Sequence, residues 1–323
     1  MSYDIHAHDF KGWIENQHEV QATIATMQSP IFAMAPGADE LSADENKNVL
    51  LWENVRAICN GQDAPKGPQG IGDCVSWGFS NLTNYTQCVQ MSVALRDAGL
   101  LKASAGEQAE FLKSIGLPTY EEIATESIYA LSRVEIGGQR NSYSDGSVGA
   151  WAAKALTNFG ALSRKELERQ GLSPTYDPKR AKDWGAKGLP DALEPVAKQH
   201  PFKIMSMVTS FREAAKCIAN GKPVAVCSNR GFSMTRDKQG FCSPSGTWYH
   251  CMVFVAVRWD RPGLACSQSW GANTPKGPVD LGQPDNTFWV DEKVADYMLS
   301  QKDSFAGSEF ESYQSKDVSI WHH

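Results

Sequence analysis

Histidine is scarce in this chain of 323 residues: there are seven, and four of them (His6, His8, His322 and His323) stand near the ends. None of the eight cysteines forms a Cys-x-x-Cys pair, so neither residue type offers the spacing of a zinc site, and no metal or other cofactor is expected. Basic clusters are also missing. Lys and Arg total 31 against 37 Asp and Glu, a formal charge of -6, which gives no electrostatic footing for a nucleic-acid partner. Long apolar runs are absent too. The longest, Met252 to Val257, is far short of a bilayer span, so no membrane partner is expected. The first residues, Met1 to His8, do not combine a basic start with an apolar segment, so no secretory signal is read there. Without one, the eight cysteines are expected as free thiols, and the expected location is the cytoplasm or a particle assembled in the cell.

A hydrophobic share of 41% is enough for a sizeable core. Residues 1–49 read as an N-terminal extension. Phe10 to Met27 suggests a helix, and the Pro-, Gly-, Asp- and Ala-rich Ser29 to Glu45 suggests a wrapping arm; a pro-segment is the less favoured alternative. A compact region begins at Leu50. Helical patterns dominate residues 50–200, including one from Cys74 to a stop at Gly99 and another over Glu121 to Val134. A helix through Trp151 and Phe159 has Asp145 or Ser147 as its candidate cap, and Ser163 to Glu166 reads as a capping box. The polar, proline-punctuated Thr175 to Asp191 reads as an extended loop. Strands dominate residues 201–323: Ile204 to Val208, Pro223 to Cys227, His250 to Trp259, Leu264 to Ser269 and Phe288 to Val290, with helices opening at Ser210 and running over Val294 to Leu299. Helices first and strands second give an α+β fold of two subdomains.

One stretch carries chemistry. Gln69-Gly70-Ile71-Gly72-Asp73-Cys74 is a glycine-rich turn that delivers a cysteine to the first turn of a helix, where unpaired N–H groups favour a thiolate. A thiol nucleophile needs a histidine. His200 lies before a proline in a Lys- and Gln-rich loop and reads as exposed, whereas His250 leads the apolar strand Cys251 to Val257 from a loop of Ser, Gly and Thr. The other cysteines sit among apolar neighbours, as buried small side chains do.

Together these segments resemble the papain-like cysteine peptidases over about residues 50–277. The features that match are Gln69-Gly70 before Gly72-Asp73-Cys74-Val75-Ser76-Trp77, a histidine before an apolar strand, the segment Phe211 to Val226, and Gln268-Ser269-Trp270-Gly271 in the place of the family's Asn-Ser-Trp-Gly. The longer separation of Cys74 and His250 implies insertions, within 160–200 and 228–247. The resemblance implies a cleft between the subdomains, with Cys74 as nucleophile paired to His250 as imidazolium. Gln69 and the Cys74 N–H would stabilise the oxyanion, Gln268 would orient the imidazole, and Trp270 would shield that contact. Asp145-Gly146-Ser147 would bind extended peptide by main-chain hydrogen bonds.

Three departures from the family pattern bear on activity: Gln268 replaces Asn, Gln69 lies one residue closer to Cys74 than usual, and an alternative register places Ser76 where the nucleophile would be. The expected function is therefore cleavage of peptide or isopeptide bonds, with a peptide or protein as substrate. Two rivals stay open: a catalytically weak or silent papain-like fold serving as a structural or interaction protein in an assembled particle, and acyl transfer to an amine by the same Cys and His. Residues 1–49 are the expected surface for protein partners.

Overall fold

Residues 12–198, 202–309 and 312–320 are described by the computed structural model. The first helix is shorter than its apolar pattern suggests. It covers Gln17–Ile24 (α1), with the Asn16 side chain accepting from the Glu19 N–H. Phe10 and Lys11 of the expected helix lie outside the described residues, and Gly12 to Ile14 is not helical because its backbone groups are bonded to Ser147 and Tyr249. Ser29 to Glu45 is an arm laid on the body of the molecule, anchored by buried Phe32, Ala38 and Leu41.

Val49–Leu50 (β1) and Leu51–Ile58 (α2) follow, then the helix Cys74–Asp97 (α3). Of its 24 residues 19 are buried, so it has no solvent face and no amphipathic stripe. Its buried hydroxyls are satisfied inside the helix: Ser80, Thr83 and Thr86 donate to the carbonyls of Trp77, Phe79 and Leu82. Gly99 ends the segment at φ +71°, a backbone region in which glycine meets no steric penalty.

Ala105–Ser114 (α4) opens on a Ser104–Glu107 capping box that the apolar pattern alone did not reveal. Thr125–Ala130 (α5) runs into a π-helical turn over Leu131–Ile136. In Gly149–Asn158 (α6) neither expected cap is used: the Gly149 and Ala150 N–H groups donate to the carboxylate of Asp303, more than 150 residues away. Arg164–Arg169 (α7) starts on the expected Ser163–Glu166 box. The presumed loop at 175–191 instead holds a helix, Pro178–Lys187 (α8), because Asp177 caps it and Pro178 occupies its first position, where a missing N–H costs nothing. Glu194–Ala197 (α9) closes this half; His200 lies outside the described residues.

The second half contributes Ile204–Met207 (β2), Phe211–Ala219 (α10), Val224–Arg236 (β3), Cys242–Arg258 (β4), Gly263–Ser267 (β5), Thr287–Asp291 (β6), Glu292–Leu299 (α11) and Phe305–Ser308 (β7). Among the described residues the strands form one antiparallel sheet in the order β2-β7-β3-β4-β5-β6, with β1 paired to β4. Strands β3 and β4 extend well past the expected ends, into a bulged hairpin whose last pair is Arg236 and Cys242. His250 is thus reached along a strand rather than from a loop. The fold places the N-terminus of α3 against β4, which brings the two candidate catalytic segments together.

Candidate active site

Cys74 is the first residue of α3 and is wholly buried. Its sulfur accepts the backbone N–H of Cys251 at 3.4 Å, so the strand residue that follows His250 is in direct contact with the thiol. His250 is buried and stacks on Trp270, with ring centroids 4.5 Å apart and planes 26° from parallel. Trp270 in turn meets Trp248 edge to face. The structure therefore sets Cys74 against the residue that follows His250 and sets His250 against Trp270, and it places Ser76 inside α3 with its hydroxyl on the Asp73 carbonyl.

The thiol is covered by the chain's own N-terminal segment. Gly12 packs directly on Cys74: a Cβ there would stand 2.6 Å from Sγ and 2.8 Å from the Gly72 carbonyl. The Gly12 and Cys251 N–H groups both favour a thiolate, but complete burial outweighs them and pushes the Cys74 thiol well above its usual range. From Gly12 the segment runs on between Ser147 and Tyr249. Ser147 N–H donates to the Gly12 carbonyl, Ile14 N–H to Ser147, and Trp13 N–H to Tyr249. The expected peptide-binding strand is thus already hydrogen-bonded to a length of extended peptide, in parallel register.

The remaining expected site residues hold the surrounding loops. Gln69 donates from Nε2 to the Ile71 carbonyl at 3.1 Å and accepts from the Ser269 hydroxyl at 2.7 Å, which ties the turn before Cys74 to the segment before Trp270. Its amide hydrogen bond is therefore spent on the backbone in this arrangement. Gln268 donates to the Asn273 carbonyl at 3.3 Å, while its Oε1 is buried without a hydrogen-bond partner among the described residues. Asp145 accepts the Gly72 N–H at 3.0 Å and pairs with Lys182. Gly146 is fixed by Tyr129 and Arg133, its N–H donating to the tyrosine hydroxyl and its carbonyl accepting from the guanidinium.

Sequence reasoning missed four contributors. Tyr176, before α8, accepts the Gly70 N–H at 3.0 Å and donates to Asp73 at 2.9 Å. Asn286 holds Ser267 and the Gln268 carbonyl. Trp13 and Asp303 meet through the indole N–H at 2.7 Å. No local pattern marks these residues; only Asp177-Pro178, a legible helix start, could have drawn attention to the segment that carries Tyr176.

No family model matches the sequence and no curated protein is significantly similar to it. Solved structures are similar in fold. Xylellain, a cysteine protease from Xylella fastidiosa, superposes with a TM-score of 0.55 at 15% identity, over 93% of this chain and 96% of that one. Digestive procathepsin L 3 of Tenebrio molitor gives 0.46 at 13% identity, over 94% and 77% respectively. The fold is papain-like.

Proposed function

We propose that this protein is a thiol peptidase in which Cys74 attacks the carbonyl carbon of a peptide or isopeptide bond, in a form closed by its own residues 12–14. The observation that carries the reading is the Cys251 N–H on the Cys74 sulfur, by which the thiol at a helix N-terminus meets β4 at the residue after His250, inside a papain-like fold. In this reading residues 1–49 are an extension and 50–323 the papain-like domain, helical over about 50–200 and β-rich beyond. With the segment displaced, water and substrate reach the thiol and the burial that opposes ionisation is relieved. The Cys74 thiolate then adds to the carbonyl, His250 gives its proton to the leaving amine, and a thioester remains on Cys74. Water activated by neutral His250 hydrolyses the thioester and frees the acid. The Cys74 N–H, and the Gln69 amide once released from Ile71, supply the oxyanion donors. Once the groove opens, the Gln268 Oε1, which has no hydrogen-bond partner among the described residues, accepts from the imidazole and orients it, Trp270 keeps water from the ring it stacks on, and Asp145, Gly146 and Ser147 present the strand to which substrate backbone binds.

The scaffold reading draws on one specific observation, the burial of Cys74 beneath Gly12. Alkylation of Cys74 by iodoacetamide between about pH 4 and 9, read by peptide mass spectrometry, separates the two. Trp13→Ala in the full chain is expected to raise the rate at least tenfold and to bring the midpoint below the ordinary thiol value of about 8.5. Adding His250→Ala should abolish that shift, and peptide hydrolysis should follow the same pattern. A midpoint at or above the ordinary value in the opened protein would leave a scaffold.

A further inference from the structure

A cavity of about 120 Å³ lies between α3, the turn after α10 and the C-terminal tail. Its α3 wall begins at Thr86, roughly 18 Å along the helix from Cys74, so it is separate from the groove over the thiol. The walls are held by specific bonds. Asn220 donates from Nδ2 to the Ser42 and Lys216 carbonyls, and its Oδ1 accepts the Lys316 N–H at 3.0 Å. Gly221 packs against both neighbours at φ +75°, where a Cβ would stand 2.6 Å from Val89 and 2.7 Å from Val318. Asn54 and Arg96 fix the tail by donating to the Val318 and Ser319 carbonyls.

The charge inside this frame is unbalanced. Lys222 is only 6% exposed, and its ammonium lies 3.5 Å from the Glu309 Oε2. Lys316, half-buried, also lines the cavity and has no ion-pair partner among the described residues. Burial lowers its amine from the ordinary value, the Lys222 ammonium lowers it further, and Glu309 and Asp97 offset this only in part. Arg96, the next cation, is already paired with Asp97 and Asp317. Two ammonium groups therefore share one carboxylate. That carboxylate is itself incomplete, because the Glu309 Oε1 is buried with no hydrogen-bond partner among the described residues. An unpaired cation and an unpaired acceptor in one cavity suit a ligand that carries negative oxygens and also one hydrogen-bond donor.

We propose that this cavity is a binding site for inorganic phosphate, with Lys222 and Lys316 on its charged oxygens and its P–OH donated to Glu309. The volume suits a small tetrahedral oxyanion rather than a nucleotide, and Gln90 and Ser315 offer neutral donors in the same lining. Glu309 sets the selectivity. Sulfate has the same shape but no proton to donate near neutral pH, so at Glu309 it would set acceptor against acceptor. The bound ion clamps the tail to α3 and so stabilises the folded chain. None of this depends on whether Cys74 is a nucleophile.

The test uses the full chain near neutral pH at constant ionic strength. Sodium phosphate at about 10 mM should raise the thermal midpoint by about 3 °C or more over sodium chloride, and sodium sulfate by less than half as much. Lys316→Gln should abolish the phosphate shift, whereas Lys316→Arg, which keeps the charge, should retain it. Glu309→Gln replaces the carboxylate by an amide that can donate, so phosphate and sulfate should then stabilise alike. Equilibrium dialysis of the unaltered protein against radiolabelled phosphate needs no variant to fold. Retained label should be displaced by unlabelled phosphate, and by sulfate only at about tenfold higher concentration or more. No retention of label, displacement by sulfate and phosphate at equal concentrations, or a phosphate shift that survives Lys316→Gln overturns the proposal.

Discussion

Asp303 is a carboxyl group whose setting could not be read from its neighbours in sequence. Burial raises its carboxyl to about 7, against the lowering effect of the Trp13, Gly149 and Ala150 N–H groups. The sign of the consequence follows from linkage. Between the unfolded value of 3.8 and the folded value of about 7 the native state holds a proton that the unfolded chain releases. Stability from this group is full below 3.8 and is lost as pH rises through 7, by on the order of 4 kcal/mol over the window. Asp303→Asn cannot titrate, so urea unfolding from pH 4 to 8 should show the wild type losing stability relative to the variant as pH rises. Parallel curves for the two proteins would exclude the raised carboxyl.

At the scale of elements, α8 and the residues before it brace the turn that delivers the thiol. Tyr176 bridges Gly70 and Asp73 and packs edge to face on Trp77, Pro178 closes on Gly70, and Lys182 pairs with the carboxylate that holds Gly72. Asp73 is completely buried, and its second oxygen has no hydrogen-bond partner among the described residues, so the tyrosine hydroxyl matters to it more than one bond on a surface would. Tyr176→Phe should cost about 1–3 kcal/mol, the range for leaving buried polar groups unpaired. It should also speed hydrogen exchange at the Gly70 amide. A loss within measurement error together with unchanged exchange would mean that α8 merely rests against the turn.

What was legible in the sequence divides along the same lines. The helix at Cys74 and the strand at His250 announce themselves because glycine turns, apolar periodicity and capping residues act over a few positions. The Ser163–Glu166 box was visible for that reason, and α8 was missed only because its prolines outweighed the Asp177-Pro178 start. The cap on α6 could not be read locally, since its carboxylate belongs to Asp303. Strand β7 was also missed; Phe-Ala-Gly-Ser has little strand character, and its pairing with β2 and β3 is supplied by the sheet. The closing of the groove by Gly12 to Ile14 depends on backbone bonds to residues more than 100 positions away, to which the side-chain pattern is blind.

For the whole molecule, the organising fact is that both ends of the described chain close over the body and brace one another. Phe32 of the arm meets Tyr313 of the C-terminal tail edge to face, with centroids 5.0 Å apart, and the Tyr313 N–H donates to the Pro36 carbonyl at 2.7 Å. The Tyr313 hydroxyl continues inward to the Ala306 carbonyl on β7, so arm, tail and sheet form one stack. Gly37 sits where these meet. Its φ is +77°, and a Cβ would fall 2.0 Å from the Tyr313 carbonyl, so backbone rather than a flexible side chain would have to yield. Because the segment over Cys74 runs through α1 into the arm, loosening the arm should reach the groove. Gly37→Ala is expected to destabilise the protein by about 1–3 kcal/mol. Limited proteolysis should cut first between residues 25 and 48, and Cys74 alkylation should rise in the same samples. Faster cleavage of the arm without any change at Cys74 would show that Gly12 to Ile14 is held by the groove alone, through Ser147, Tyr249 and Asp303, and that the brace serves stability only.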